Sequence, residues 1–135
     1  YEAMFNRAQK ESVNIEFFNT TEDFKYMTNL GLDPDGKQNV KRSFALCTES
    51  NNCIKLRHGK LYTCTRPAVI HRFNEFFGLN FETTEKNSID IYQCQTAEEI
   101  LHFLATPIEF CKYCRFDNRS ASEWGVTKKE LSEWL

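Results

Sequence analysis

Six cysteines, Cys47, Cys53, Cys64, Cys94, Cys111 and Cys114, carry most of the chemistry open to this sequence, and none falls in the first 46 residues. Cys111 and Cys114 enclose the stretch Cys-Lys-Tyr-Cys. Two thiolates at that spacing turn toward one ion when a tight loop brings both sulfurs to one side. The segment "CIKLRHGKLYTC", residues 53–64, sets another cysteine at each end of two short apolar runs around His58-Gly59-Lys60. The remaining sulfurs of a four-thiolate site would come from this region, with 46 residues between its last cysteine and Cys111. Four thiolates satisfy a tetrahedral zinc ion or a [4Fe–4S] cube equally well, so spacing leaves the metal open. A thioredoxin-type redox pair would open a helix directly after a strand. Here the pair follows a helix and Pro107, which argues against thiol–disulfide exchange.

Other reactive side chains have plainer readings. Cys94 follows a strand and is expected to act as a small buried hydrophobe. His58 in the turn is expected to be solvated, and His71 and His102 lie on helices facing solvent or neighbouring carboxylates. Arg57, Arg66 and Arg115 are close to cysteines in sequence and have the donors to reach sulfur or substrate, but a solvated surface role is the default. Tyr62, Tyr113 and most of the 12 phenylalanines read as core, or as an apolar shell near the sulfurs that would exclude water from them.

The elements that must position these residues fall into two zones. Residues 1–45 read as the end of a helix, an alternating strand over "SVNIEFF", and a short helix in "NTTEDFKYM" with Thr20 or Thr21 as cap and Glu22 and Asp23 in its first turn. "LGLDPDGKQN" is a loop marked by Asp-Pro and Asp-Gly. In the cysteine zone, "CIKLR" and "KLYTC" pair as a hairpin across Gly59. "TRPAVIHRFNEFFG" predicts a helix with Pro67 in its first turn, an apolar face of Ile70, Phe73 and Phe77, and Gly78 as its stop. "SIDIYQ" reads as a short strand. "TAEEILHFL" predicts a helix with a Thr96–Glu99 capping box and a face of Ile100, Leu101 and Leu104, ended by Pro107. "TKKELSEWL" repeats the capping pattern with Thr127 and Glu130. The fold class expected is α+β, a small β-hairpin plus helices around a cysteine metal site.

Composition bounds the alternatives. A chain of 135 residues with 41% apolar and 27% charged residues suits one globular domain with a real core. A net charge of -2 without a basic run gives no electrostatic reason to expect nucleic acid or an anionic membrane. No apolar run approaches the roughly 20 residues of a membrane span, and no signal peptide opens the chain. The sequence begins at Tyr1 inside a helical pattern and reads as a piece of a longer protein.

Eleven residues separate Cys47 from Gly59, four separate Gly59 from Cys64, and a long gap precedes Cys111-Lys112-Tyr113-Cys114. This pattern resembles the Cys-x(9–15)-Gly-x4-Cys, gap, Cys-x-x-Cys arrangement of the SPASM and twitch auxiliary domains of bacterial radical S-adenosylmethionine enzymes. "CIKLRHGKLYTC", the Phe-rich helix after it and "EEILHFLATPIEFCKYC" are similar to C-terminal regions of such proteins, over about residues 45–120. The resemblance implies an auxiliary [4Fe–4S] cluster held by Cys47, Cys64, Cys111 and Cys114. Cys53 is the alternative to Cys47, disfavoured because only five residues separate it from Gly59. It implies that residues 1–45 are the last strand and helix of a partial (β/α)6 barrel and that residues 46–135 form the cluster domain. Cysteines for a second auxiliary cluster are missing, which brings the chain closer to the single-cluster twitch form. The Cys-x3-Cys-x2-Cys loop that binds the catalytic cluster and S-adenosylmethionine is also missing and would lie in an N-terminal part. This chain alone is then not expected to be catalytic. Its partner would be the rest of the barrel, in a cytoplasmic enzyme whose cluster relays electrons, supports the fold or positions substrate.

Two readings of other classes stand beside this one. The same four thiolates suit a structural zinc module serving protein contacts. Alternatively, an even number of cysteines and Asn-x-Ser/Thr sequons at Asn19 and Asn118 suit a secreted disulfide-stabilised domain, although the chain has apolar residues enough for a core without staples.

Overall fold

The computed structural model describes residues 2–15, 26–50 and 52–135. The fold is α+β, with short helices and two small antiparallel sheets. In chain order the elements are α1 (Glu2–Lys10), β1 (Tyr26–Leu32), α2 (Val40–Ala45), β2 (Lys55–Arg57), β3 (Lys60–Tyr62), α3 (Thr65–Phe77), β4 (Ile89–Asp90), α4 (Ala97–Leu104) and β5 (Cys114–Glu123). One-turn 3-10 segments cover Glu85–Asn87, Glu109–Tyr113 and Leu131–Glu133.

The hairpin forms where expected. Leu56 pairs with Leu61 and Arg57 with Lys60, and β4 adds a third strand through Leu61 and Ile89. His58 and Gly59 both have positive φ, 49° and 75°, the backbone of a two-residue turn whose twist matches the strands it joins. Directly after β3 the chain turns into α3, with Pro67 in the first turn and Gly78 closing the helix at φ 65°. Ile70 is buried in the core and Phe73 packs against it, so the predicted apolar face of α3 is the one used. In α4 the Thr96 hydroxyl accepts from Glu99 N, but the Glu99 carboxylate reaches Gln95 N and not Thr96 N. The face of α4 also differs from expectation: Leu101 is 64% exposed, and Phe103 is the residue packed on the core.

Three further differences matter. The strand expected over residues 12–18 and the helix expected over 19–27 lie largely outside the described residues, and Tyr26 and Met27 belong to β1. β1, α2 and β5 depart from the sequence expectations: Leu30, Gly31 and Leu32 of the expected "LGLDPDGKQN" loop are the end of β1, and the sequence predicts no element over Val40–Ala45 or Cys114–Glu123. Their positions follow from pairing and capping. β5 lies antiparallel to β1, with Leu30 opposite Arg119, and a bulge lets Leu32 face Cys114. α2 is capped by the Asn39 side chain, which accepts from Arg42 N. "TKKELSEWL" does not form a helix. Thr127 and the Lys128 and Glu130 amides all bond to the Glu133 carboxylate, which ties the segment into a compact loop with a single 3-10 turn.

One core serves both zones. Leu32 from β1, Ile70 from α3, Phe81, and Ile108, Phe110 and Tyr113 around the Cys-Lys-Tyr-Cys stretch are buried together, with Leu135 packed against them. Leu32 N donates to Trp134 O, so the C-terminal loop covers the same core. The β1–β5 sheet and this core both draw on residues from either side of residue 45.

Candidate metal centre

Two of the four expected ligands, Cys64 and Cys114, stand at the start of an element, Cys47 lies in a loop and Cys111 within a turn. Cys47 lies just past α2, its N–H donating to Phe44 O and its carbonyl accepting from the Ser50 hydroxyl. Cys64 is the N-cap of α3, with extended backbone (φ -152°, ψ 168°) and no conventional side-chain cap bond. Cys111 sits in the 3-10 turn Glu109–Tyr113, and Cys114 is the first residue of β5. The Cys-Lys-Tyr-Cys segment is thus a tight turn that ends in a strand.

Several groups clamp that turn. The Asp33 carboxylate accepts from Gln38 Nε2 at 2.8 Å, Lys37 N at 3.0 Å and Asp35 N at 3.1 Å, folding residues 33–38 into a closed loop. These donors, Gln38 above all, hold the Asp33 carboxyl below its ordinary range despite burial. From that loop, Asp33 N donates to Tyr113 O and Gln38 N to Lys112 O. Gly36, at φ 63°, lies so close that an added Cβ would stand 2.9 Å from Tyr113 Cε1. On another side, buried Asn87 accepts from Phe110 N at 2.9 Å, and the buried Ser43 hydroxyl of α2 donates to Cys114 O at 3.2 Å. Tyr113 packs edge-on against Phe81 and Phe110, and its hydroxyl accepts from Glu82 N.

The four thiols of the expected set influence one another's titration. Cys64 is near enough to Cys114 and Cys111, and Cys47 near enough to Cys111 and Cys114, that a charge on one raises the pKa of the next. Burial is the larger effect. It pushes Cys64 and Cys111 up to about 12 and raises Cys114 as well, so all three are thiols at neutral pH in the metal-free chain. Arg66 opposes this at Cys114, donating from Nη1 to Cys114 Sγ at 3.4 Å and from Nη2 to Leu30 O at 3.2 Å. Its assignment to a solvated surface is corrected: the first turn of α3 carries the guanidinium inward. Arg57 likewise turns in, to Ala68 O, and Arg115 lies near enough to Asp33 to favour its carboxylate.

The remaining residues stay apart. Cys53 is exposed. Cys94 is half-buried, its thiol donating to Asp90 O. His58, His71 and His102 are exposed. All six cysteines are free thiols.

The fit to a metal depends on how tightly the sulfurs gather. Among the described residues no three His, Cys, Asp or Glu side chains stand close enough to share one ion. Tetrahedral zinc with bonds of about 2.3 Å needs its sulfurs within roughly 4 Å of one another. An iron–sulfur cube carries each thiolate on a separate iron, so its sulfurs stand wider apart.

No family model matches the chain, and no curated protein or solved structure shows significant similarity to it.

Proposed function

We propose that Cys47, Cys64, Cys111 and Cys114 bind a [4Fe–4S] cluster, and that the chain is the auxiliary cluster domain of a radical S-adenosylmethionine enzyme whose catalytic loop lies elsewhere. The observation that supports the reading is the mutual electrostatic influence of these four thiols, which come from three separate segments, together with the Arg66 donor at Cys114. When bound, the cluster would supply a one-electron redox centre. With four cysteine ligands no iron is left open, which favours electron relay or structural support over direct binding of substrate. The chain's own residues would do the rest. Phe110, Tyr113 and Phe81 keep water from the Cys111 side, Arg66 places a positive charge at Cys114, and Ser43, Asn87 and the Asp33 loop fix the turn.

Serine replacement, one cysteine at a time, followed by anaerobic supply of iron and sulfide, tests the ligand set. The absorbance near 400 nm expected of iron–thiolate charge transfer should drop sharply for C47S, C64S, C111S and C114S and stay at the parental level for C53S and C94S. Equal absorbance for C47S and the parent would remove Cys47 from the set. Equal absorbance for all six variants would end the proposal.

A further inference from the structure

A cleft of about 250 Å³ opens beside Arg66, walled by Leu30 of β1, by Val69, Ile70 and Phe73 along α3, and by Trp134. Its walls are mainly apolar, and Phe73 meets Trp134 edge-on with ring centroids 5.7 Å apart. A volume of this size suits a body as large as one aromatic ring with a short tail, since a dry cavity of about 150 Å³ holds benzene.

Two charged residues line the cleft, and they are not equivalent. Both oxygens of Glu133 are engaged locally, by the Thr127 hydroxyl and by the Lys128 and Glu130 amides, and these bonds hold its carboxyl below the ordinary range. Arg66 has no carboxylate partner among the described residues. Its guanidinium has five N–H donors, and the bonds to Cys114 Sγ and Leu30 O engage only two of them. A half-buried guanidinium at the edge of an apolar cleft favours an anion that can accept from it in a fork.

We propose that this cleft binds a small carboxylate with an apolar, ring-sized body, its acid group on Arg66 and its body between Phe73, Val69 and Trp134. The proposal goes beyond the cluster reading and does not depend on it, because the cleft and Arg66 belong to the chain with or without metal.

The probes are 3-phenylpropionate and its uncharged analogue 3-phenylpropan-1-ol, titrated by calorimetry into the chain as purified and after anaerobic iron and sulfide supply. Iron is measured on the same samples. The acid should bind, and the alcohol at least tenfold more weakly. Arg66→Gln should abolish that preference, and Val69→Trp, which fills the cleft, should abolish binding of both. Circular dichroism establishes that each variant folds, and Val69→Phe is the second filling variant should Val69→Trp fail to fold. No binding of the acid, equal affinity for acid and alcohol, or binding unaffected by filling the cleft would each overturn the proposal. Acid binding in samples that never take up iron would leave the cleft standing and count against the cluster. Iron uptake without acid binding would do the reverse.

Discussion

Arg66 touches the Cys114 sulfur and the Leu30 carbonyl with two arms of one guanidinium, so its charge sits at the edge of the proposed cluster. Adding an electron to an iron–sulfur centre adds negative charge, and a cationic donor at a ligand sulfur stabilises the reduced form more than the oxidised one. Arg66→Gln should therefore lower the reduction potential, by roughly 40 to 90 mV for a differential interaction of about 1–2 kcal/mol. Protein-film voltammetry would measure the shift, with iron content establishing that the centre is intact. An intact centre with an unmoved potential would deny Arg66 this role. Cys47 and Cys53 make a second contrast at this scale. Sequence spacing prefers Cys47; Cys53 is exposed, and a charge on Cys47 raises the pKa of Cys111 and Cys114. Arg66 itself had no comparable signal, because its value lies in contacts to residues 36 and 48 positions away.

At the scale of elements, the Cys-Lys-Tyr-Cys turn is held by its neighbours more than by itself. Asn87 satisfies the buried Phe110 amide, and its replacement by alanine leaves that donor without a partner. Asn87→Ala should cost about 1–3 kcal/mol in urea unfolding. Gly36→Ala should be at least as costly. It combines a left-handed backbone, about 1–2 kcal/mol for an ordinary residue, with a Cβ only 2.9 Å from the Tyr113 ring. Amide exchange should show the loss centred on residues 33–38 and 110–114. Uniform loss across α4 as well would mean that Gly36 supports the whole molecule and not this turn.

The same elements mark what could be read from sequence. The hairpin, α3 and α4 were legible because their signals are local: Gly59 in a turn, Pro67 and Gly78 bracketing a helix, Thr96 capping another. β5 was not, because "CRFDNRSASE" has no alternation and gains its strand only by pairing with β1. The C-terminal segment misled for a related reason: the Glu133 carboxylate gathers the donors that a helix would have arranged in sequence. Clamping by Asp33, Ser43 and Asn87 has no local sequence signal either. Short polar residues in loops are common, and only the folded chain shows which of them face the cysteine turn.

At the scale of the whole molecule, one core joins β1, α3 and the cysteine turn, so metal and stability should be coupled. In the metal-free chain the coupling runs through protons. Cys64 and Cys111 are pushed up to about 12 in the fold, against an ordinary value of 9.0. As pH rises past 9.0 the unfolded thiols lose protons first, so the unfolded state binds fewer protons and stability falls. Stability of the metal-free chain should thus be full below pH 9 and decline between pH 9 and about 12. With metal bound the sign reverses, since thiolates are required and acid competes for them; acidification should then release metal and stability together. Urea midpoints across pH, with and without metal, check both limbs. A loaded chain that kept its midpoint while losing metal in acid would separate the cysteine site from the fold.

Iron and acid-labile sulfide per chain, measured after anaerobic supply of both in the presence of an equal amount of zinc, test the central claim most directly. A [4Fe–4S] centre on Cys47, Cys64, Cys111 and Cys114 gives about four irons and about four sulfides per chain, with brown colour. One zinc per chain without sulfide or colour would contradict it.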